Sequence, residues 1–201
     1  MAMKRFPITN VVGDLVDQHR DPDEKLYASL ELNQVAFPKT GMVVSQTPLG
    51  AAFTRANPCE NGMWVVADKA AGTINAPAAA TDSPSGIVYT TEKEYDREHY
   101  GLQRFGRKIA GDYPRVGIFG LGDTVTTNCL QYDETTYATF AALETALNAI
   151  GTTPMYVAPV AGSPVPQLTA TKPQSGTYAK VVKYYTIPNG GKGVKYQIVS
   201  L

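Results

Sequence analysis

Short β-type segments separated by glycine and proline make up most of the hydrophobic pattern of this chain. The clearest pair is Tyr178–Ile187 and Val194–Leu201, two runs rich in β-branched and aromatic residues that flank the sequence PNGGKG. Asn-Gly tolerates the positive φ angles of tight hairpin turns, so this pattern predicts a terminal β-hairpin. In the second run, Val194, Tyr196 and Ile198 fall on one face, which indicates that one side of the hairpin packs against a core.

Further strands are predicted in both halves of the chain. An Asn-Gly turn at 61–62 predicts a hairpin between Gly50–Ala56 and Met63–Asp68. The other predicted strands are 26–32, 42–46, 86–91, 116–119, 123–132, 155–158 and 167–171. Between them, the alanine-rich stretch 67–84 has no apolar period and is predicted to be a loop, and the charge-dense stretch 92–115 is predicted to be a solvated linker.

One segment, 136–150, changes to a helical period. Its apolar residues are three or four positions apart: Phe140, Leu143, Leu147 and Ile150. Candidate caps stand at both ends, namely Asp133, Thr135 and Thr136 before the segment and Gly151 after it. Because the apolar stripe is narrow and the rest of the segment is rich in alanine, the pattern predicts an amphipathic helix that lies flat on a sheet.

The first 40 residues show neither period. Five acidic residues between 14 and 24 alternate with bases, and three prolines interrupt the segment. Segments of this kind become ordered only along a partner surface, which predicts an extended N-terminal arm. The predicted fold class is therefore mainly β (α+β), with β-barrel or sandwich-like modules, one helix at about 136–150 and this arm. The predicted organisation is an arm (1–40), a β-rich N-terminal domain (41–105) and a β-rich C-terminal domain with the helix (106–201).

The composition narrows the function classes. Eighteen basic and 18 acidic residues give a formal net charge of zero, which argues against a dedicated nucleic-acid-binding protein. No apolar run approaches the roughly 18 residues that a membrane helix needs. The N-terminal sequence MAMKRFPITNVVGD lacks the apolar region of a signal peptide. These features predict a folded soluble protein that does not act at a membrane.

The charge is unevenly distributed along the chain. Residues 145–201 contain five lysines and no acid, whereas 1–144 contain 13 basic and 18 acidic residues. Such an asymmetry can guide self-association or docking onto a surface of opposite charge. The alternative interpretation is a solvated lysine face at a sheet edge, where lysine blocks unwanted strand pairing.

Candidate chemistry is sparse. Cys59 and Cys129 match no zinc or redox spacing, and two reduced, packed thiols are favoured over a disulfide, which the spacing leaves open. The sequence DREH at 96–99 could begin a metal site, but no second cluster supplies further ligands. The GLGD sequence at 120–123 lacks both phosphate-loop patterns and is predicted to be a tight turn. We therefore expect no enzymatic activity, no metal and no cofactor.

Aromatic residues offer candidate contacts with a partner. In the terminal hairpin, tyrosines alternate with lysines, a pattern that also occurs in platforms for single-stranded nucleic acid. The neutral total charge favours cross-strand packing or a protein interface instead. The candidate interface residues are Phe6, Ile8, Val11, Val12, Leu15, Trp64, Tyr184 and Tyr196. Trp64, the single tryptophan, is predicted to anchor either the core or an interface.

The order of these features is similar to that in small structural proteins of tailed bacteriophages, above all those that decorate or cement the head. Three segments carry the likeness, GIVYTTEKEYD (86–96), GDYPRVGI (111–118) and GDTVTTN (122–128), followed by the alanine-rich helix and the terminal hairpin. The first 85 residues share only the general style of the family. The likeness is carried by turns and strands, so no binding residue is transferred from the family to this chain.

The resemblance implies a non-enzymatic capsid decoration protein on the exterior of the virion, made in the host cytoplasm. Its implied partners are the major capsid protein and further copies of the same chain, with neither nucleic acid nor membrane. A tail-tube or head–tail joining protein is the nearest alternative. A host-surface module that binds glycans through an exposed Trp64 is an alternative of another class.

Overall fold

A computed structural model describes residues 2–7, 43–44, 46–68, 70–89, 107–186 and 191–201. The strands in these ranges are β1 (Met3–Arg5), β2 (Val43–Val44), β3 (Cys59–Glu60), β4 (Trp64–Asp68), β5 (Thr73–Asn75), β6 (Gly86–Val88), β7 (Arg107–Lys108), β8 (Val116–Ile118), β9 (Thr124–Thr127), β10 (Gln131–Asp133), β11 (Tyr156–Val160), β12 (Ser163–Thr169), β13 (Tyr178–Thr186) and β14 (Lys192–Ser200). One helix, α1 (Phe140–Asn148), lies between β10 and β11.

In the described residues, the larger sheet has seven strands in the order β1-β10-β12-β11-β13-β14-β9, and all their pairings are antiparallel except that of β10 with β12. In a flat sheet of this order, β9 and β10 would lie five strand spacings, or about 24 Å, apart. Only three residues separate Thr127 at the end of β9 from Gln131 at the start of β10, and this connection reaches at most about 14 Å. The sheet is therefore curled until its two ends approach each other.

Two hydrophobic clusters lie on opposite sides of the smaller sheet. The first fills the interior of the curled sheet and also receives Leu143 and Leu147 from α1. The smaller sheet has five antiparallel strands in the order β2-β8-β6-β4-β5. Its Trp64 belongs to the first cluster and the next residue, Val65, to the second, because successive side chains of a strand point to opposite faces. This sandwich-like arrangement confirms the predicted mainly β fold class.

The sheets do not divide at residue 106, where the sequence predicts a domain boundary. Strand β8, from the predicted C-terminal domain, lies between β2 and β6 of the predicted N-terminal domain. Strand β7 likewise pairs with β3. Cys129 and Val165, both from the C-terminal half, pack into the second cluster with residues of the N-terminal half. The two halves thus share one hydrogen-bonded framework.

Residues 2–7 of the predicted arm belong to the folded body. Strand β1 pairs antiparallel with β10, and the Phe6 N–H donates to the Leu130 carbonyl at 2.9 Å. The Phe6 side chain is only 1% exposed. Burial of the large apolar side chain that follows β1 stabilises this short strand, although the sequence of the strand has no alternating apolar pattern. The rest of the arm, including the predicted strand at 26–32, lies outside the described residues.

The predicted hairpin between 50–56 and 63–68 is wrong in its first strand. The segment 50–56 forms turns, in which the Phe53 N–H donates to the Gly50 carbonyl at 3.2 Å. Its glycine and alanines have low β propensity, so turn formation prevails. The Asn-Gly turn itself is present, with Gly62 at φ 91°. It connects β3 to β4, however, and these strands pair with different neighbours.

Two further boundaries differ from the prediction. The stretch 67–84 was expected to be a loop, but it contains β5, which pairs with β4. Three residues with one isoleucine are too short to show a period. The predicted strand 123–132 is divided into β9 and β10, because at 128–130 the chain passes between distant positions in the order of the curled sheet.

Helix α1 is shorter than the predicted segment 136–150. Its N-cap is Thr139, whose hydroxyl oxygen accepts from the Ala142 N–H at 3.2 Å, and its C-cap is Ala149. The three residues expected to cap it form a separate turn instead. Asp133 accepts hydrogen bonds from the Thr135 hydroxyl and N–H, which lower the pKa of that carboxyl group. This turn competes with the helix for the same residues and delays its start.

Candidate docking surface

The terminal hairpin forms as predicted, from β13 and β14. Strand β13 lies between β11 and β14, and β14 lies between β13 and β9. Both are therefore interior strands of the seven-stranded sheet. For Lys180 and Lys195, which have a paired strand on both sides, the interpretation as blockers of a sheet edge is wrong. Lys183 lies beyond the two residues of β13 that pair with β11, and for this lysine the interpretation stays a prediction.

The inner face of the hairpin belongs to the first hydrophobic cluster. Val181 of β13 and Val194, Tyr196 and Ile198 of β14 are all buried there. Side chains alternate between faces along a strand, so the residues between these positions point outward. We call this outward surface the lysine face, and it consists of Lys180, Val182, Lys183, Tyr185, Lys195 and Gln197.

A β-bulge shapes the lysine face. Val181 pairs with Tyr196 and Lys183 with Lys195, so Val182 has no opposite residue in the ladder. A bulge of this kind redirects side chains, and it places Val182 outward with 52% of its surface exposed. The face thus combines an exposed apolar side chain with the surrounding ammonium groups.

Two lysines stand directly opposite each other on this face. Lys183 of β13 and Lys195 of β14 are cross-strand partners, and like charges in this position destabilise a sheet. The Lys183 ammonium lies 5.4 Å from the ring centroid of Tyr185, a cation–π contact. Within the part of the chain that the structure describes, Lys180, Lys183 and Lys195 form no ion pair.

Several described carboxylates are occupied by the backbone of their own turns. Asp68, Asp82 and Asp112 each accept hydrogen bonds from backbone N–H groups two to four residues away, at 2.7–3.0 Å. Glu134 instead pairs with Lys4 at 3.4 Å. These acids stabilise local structure, and within the described residues none of them forms an ion pair with the lysine face.

Three of the candidate interface residues are core residues. This corrects the assignment of Phe6 and Tyr196, and it decides between the two alternatives for Trp64 in favour of the core. Phe6, Trp64 and Tyr196 are at most 1% exposed. The Trp64 indole N–H donates to the Tyr196 hydroxyl at 2.9 Å, so its polar atom is satisfied inside the protein. Burial raises the pKa of Tyr196, and its hydroxyl stays protonated at neutral pH. The other predicted contacts Ile8, Val11, Val12 and Leu15 lie outside the described residues.

Tyr184, also predicted at the interface, connects the hairpin to the helix. Its hydroxyl donates to the Glu144 carboxylate at 2.6 Å, and its ring packs edge-on against Phe6 at 6.4 Å between centroids. Burial and the Glu144 carboxylate raise the pKa of Tyr184. These contacts give the half-buried Tyr184 a structural role between the hairpin and the helix.

A second polar cluster joins β1 to β3. Arg5 Nη2 donates to Glu60 Oε2 at 3.0 Å and lies 4.0 Å from Cys129 Sγ. Burial raises the pKa of the Cys129 thiol to about 12, although Arg5 opposes this shift. Cys59 and Cys129 are both buried as free thiols, as predicted. A protonated, fully buried thiol is a poor nucleophile, so this cluster is structural.

The turn at 120–123 is tight, as predicted. The Asp123 N–H donates to the Gly120 carbonyl at 3.1 Å, and Asp123 Oδ2 accepts from the Gly120 N–H at 2.6 Å. Burial raises the pKa of Asp123, although the Gly120 hydrogen bond opposes the shift. Because the Gly120 N–H already donates to the Asp123 carboxylate, it is not available to bind a phosphate.

Other sites considered from the sequence fall outside the described ranges, namely DREH at 96–99 and the histidines at 19 and 99. Among the residues that are described, no group of three or more His, Cys, Asp and Glu side chains could hold a metal ion. The same residues include no helix long and apolar enough to cross a membrane.

The sequence showed the lysines but not their arrangement. The excess of lysine after residue 145 was a visible signal. The bulge at Val182, which sets Lys183 opposite Lys195, depends on pairing between strands and has no local signature.

Comparison with known protein families, curated proteins and solved structures finds no match for this chain.

Proposed function

We propose that this chain is a non-enzymatic structural protein of a tailed-bacteriophage virion, which docks on the outer surface of the assembled capsid and stabilises it. Two lines of support lead to this function. The first is the resemblance carried by the segments 86–96, 111–118 and 122–128. The second is the lysine face, an exposed sheet surface whose charges are unpaired within the described residues.

The lysine face is the observation that carries the proposal. Its Lys183–Lys195 pair reduces the stability of the isolated fold, whereas contact with carboxylates of a partner would turn that repulsion into attraction. The face stands on interior strands whose other side is fixed in the first hydrophobic cluster. The backbone of such a surface loses little conformational entropy on docking, so the ordering cost is confined to its side chains.

Docking would also stabilise the decoration protein itself. A partner that binds only the folded state shifts the folding equilibrium by mass action. On a shell with many equivalent positions, each copy then gains stability from its own contact.

The host-surface alternative loses the residue on which it depended. It required Trp64 on an exposed loop, but Trp64 lies in β4 and is 0% exposed. A glycan could reach this indole ring only after the core had opened. The tail alternative predicts different assemblies, which the following experiment separates.

The experiment is co-sedimentation of the purified protein with bare capsid shells from its own source, with isolated tails as the control. We expect saturable, stoichiometric binding to shells and no sedimentation with tails. Binding to tails, or polymerisation of the protein alone into rings or tubes, would contradict decoration and assign the protein to the tail.

A further inference from the structure

We infer that the lysine face recognises an acidic protein surface, with a carboxylate of the partner placed between Lys183 and Lys195. The inference rests on the proposed function for the partner's location, on the capsid exterior. The acidic character of the partner is inferred from the geometry of the hairpin, which sets Lys183 opposite Lys195.

The two lysines start from neighbouring positions on the two strands. Directly opposite residues of an antiparallel pair have Cβ atoms about 4.5–5.5 Å apart, so both ammonium groups can reach one carboxylate. A carboxylate has two oxygens and accepts from both lysines through charge-assisted hydrogen bonds. Lys180, on the same face, adds a third positive charge opposite Gln197.

The other side chains of the face favour a protein over a nucleic acid. Val182 is 52% exposed and apolar, and Tyr185 is half-buried beside Lys183. An exposed valine and a tyrosine fit an interface in which side chains from the partner pack around a central contact. The cations of the face are all lysines, without the arginine forks that dominate base-edge contacts, and the net charge of the chain is zero.

The described acids of the same chain do not fill this role. Asp68, Asp82 and Asp112 accept backbone N–H groups in their own turns, and Glu144 accepts the hydroxyl of Tyr184. A partner carboxylate would have to come from a surface with uncommitted acids. On the ground of charge complementarity, we commit to an acidic surface on a different protein. A second copy of this chain is one of the outcomes tested.

The experiment compares Lys183→Glu with a matched control, Lys172→Glu. Lys172 is exposed in the stretch after β12 and lies outside the lysine face, so both variants change the net charge equally. Lys183→Glu replaces a like-charged cross-strand pair by an opposite-charged one, so its melting temperature should be equal to or higher than that of the wild type. Loss of binding in this variant would then have no explanation in unfolding.

The probes are immobilised poly-L-glutamate, single-stranded poly(dT) and bare capsid shells. We expect the wild type to bind poly-L-glutamate with an affinity that falls as salt is added. Lys183→Glu should bind at least about tenfold more weakly, and Lys172→Glu should stay within about twofold of the wild type. The same order should hold on shells.

Each failure has a distinct reading. Equal binding of poly-L-glutamate by both variants would overturn the inference, while shell binding by the wild type would still support the proposed function. Lys183-dependent binding to poly-L-glutamate without any binding to shells would support the inference and overturn the proposed function. Tighter Lys183-dependent binding to poly(dT), or Lys183-dependent self-association without a probe, would overturn the inference in favour of nucleic acid or a second copy.

Discussion

The N-terminal strand and the terminal hairpin use their charged residues in opposite ways. On β1, Lys4 pairs with Glu134 at 3.4 Å and Arg5 pairs with Glu60 at 3.0 Å. On the lysine face, Lys183 stands opposite another lysine and has no acidic partner among the described residues. Charges on β1 contribute to the fold, whereas those on the hairpin oppose it slightly and remain accessible to a partner. The difference separates a structural region from a candidate docking region.

Loss of the Phe6 ring should produce the largest effect on the structural side of this comparison. Phe6 is 1% exposed and packs edge-on against Phe140 at 4.9 Å between ring centroids. Phe6→Ala should lower the free energy of unfolding by about 3–5 kcal/mol, because it leaves a cavity in the first hydrophobic cluster. Urea denaturation measures this change, with the exposed Lys4→Ala as the control. A loss below about 1 kcal/mol would show that β1 is not a structural anchor.

A truncation of the predicted arm would also remove the structural contacts of β1 and Phe6. Removal of residues 1–35 would delete β1 and Phe6 together with the rest of the predicted arm. We expect such a truncation to destabilise the fold, so its loss of capsid binding would not by itself identify an arm contact.

The Arg5–Glu60 pair should have the next largest effect. Arg5→Met removes a charge-assisted hydrogen bond to Glu60, whose side chain is only 10% exposed. We expect a loss of about 2 kcal/mol in the free energy of unfolding, because a nearly buried carboxylate loses its ionic partner. A double-mutant cycle with Glu60→Gln isolates the pair. A coupling energy near zero would contradict the structural role of this charge.

The Tyr184–Glu144 hydrogen bond links the hairpin to α1, and Tyr184→Phe should remove about 1–2 kcal/mol of stability. Burial and the Glu144 carboxylate raise the pKa of Tyr184, so the folded state holds this proton more tightly than the unfolded chain. Its contribution is fully present below the unfolded tyrosine pKa of about 10 and is lost as pH rises above that value.

Stability curves between pH 8 and 11 check this sign. The wild type should lose stability as the pH rises above about 10, and Tyr184→Phe should show a smaller slope. Part of the slope should remain, because burial also raises the pKa of Tyr196. Identical slopes in the wild type and the variant would contradict the link between Tyr184 and the helix.

The smallest expected effect has the opposite sign. Lys183→Glu should raise the free energy of unfolding by about 0.5 kcal/mol, since it places a carboxylate opposite Lys195. Lys172→Glu should leave stability unchanged within about 0.5 kcal/mol. Differential scanning calorimetry at low salt can resolve the sign. Destabilisation by Lys183→Glu would mean that Lys183 has an internal role and that the contrast with β1 does not hold.

Local pattern predicted the elements that local chemistry determines. The Asn-Gly turn sequence and the alternation of Val194, Tyr196 and Ile198 were sufficient for the terminal hairpin and its buried face. Periodicity also located the helix, although Asp133 formed a competing turn with Thr135 and delayed its start. In these segments, the residues that fix the structure are neighbours in sequence.

Long-range pairing accounts for what the pattern missed. Strand β1 has the sequence MKR, which shows no apolar alternation, and its partner β10 lies more than 120 residues away in the chain. Trp64 was predicted at an interface or in a core, and only the contact with Tyr196 across the two sheets decides for the core. The Lys183–Lys195 pair depends on a bulge, which shifts the register by one residue.

The central claim is that the lysine face docks this protein on a capsid shell. Co-sedimentation of the wild type, Lys183→Glu and Lys172→Glu with bare shells, at matched concentration and low salt, tests it most directly. We expect saturable binding of the wild type and Lys172→Glu, and binding by Lys183→Glu that is at least about tenfold weaker. Equal sedimentation of all three proteins with the shells, or of none, would contradict it.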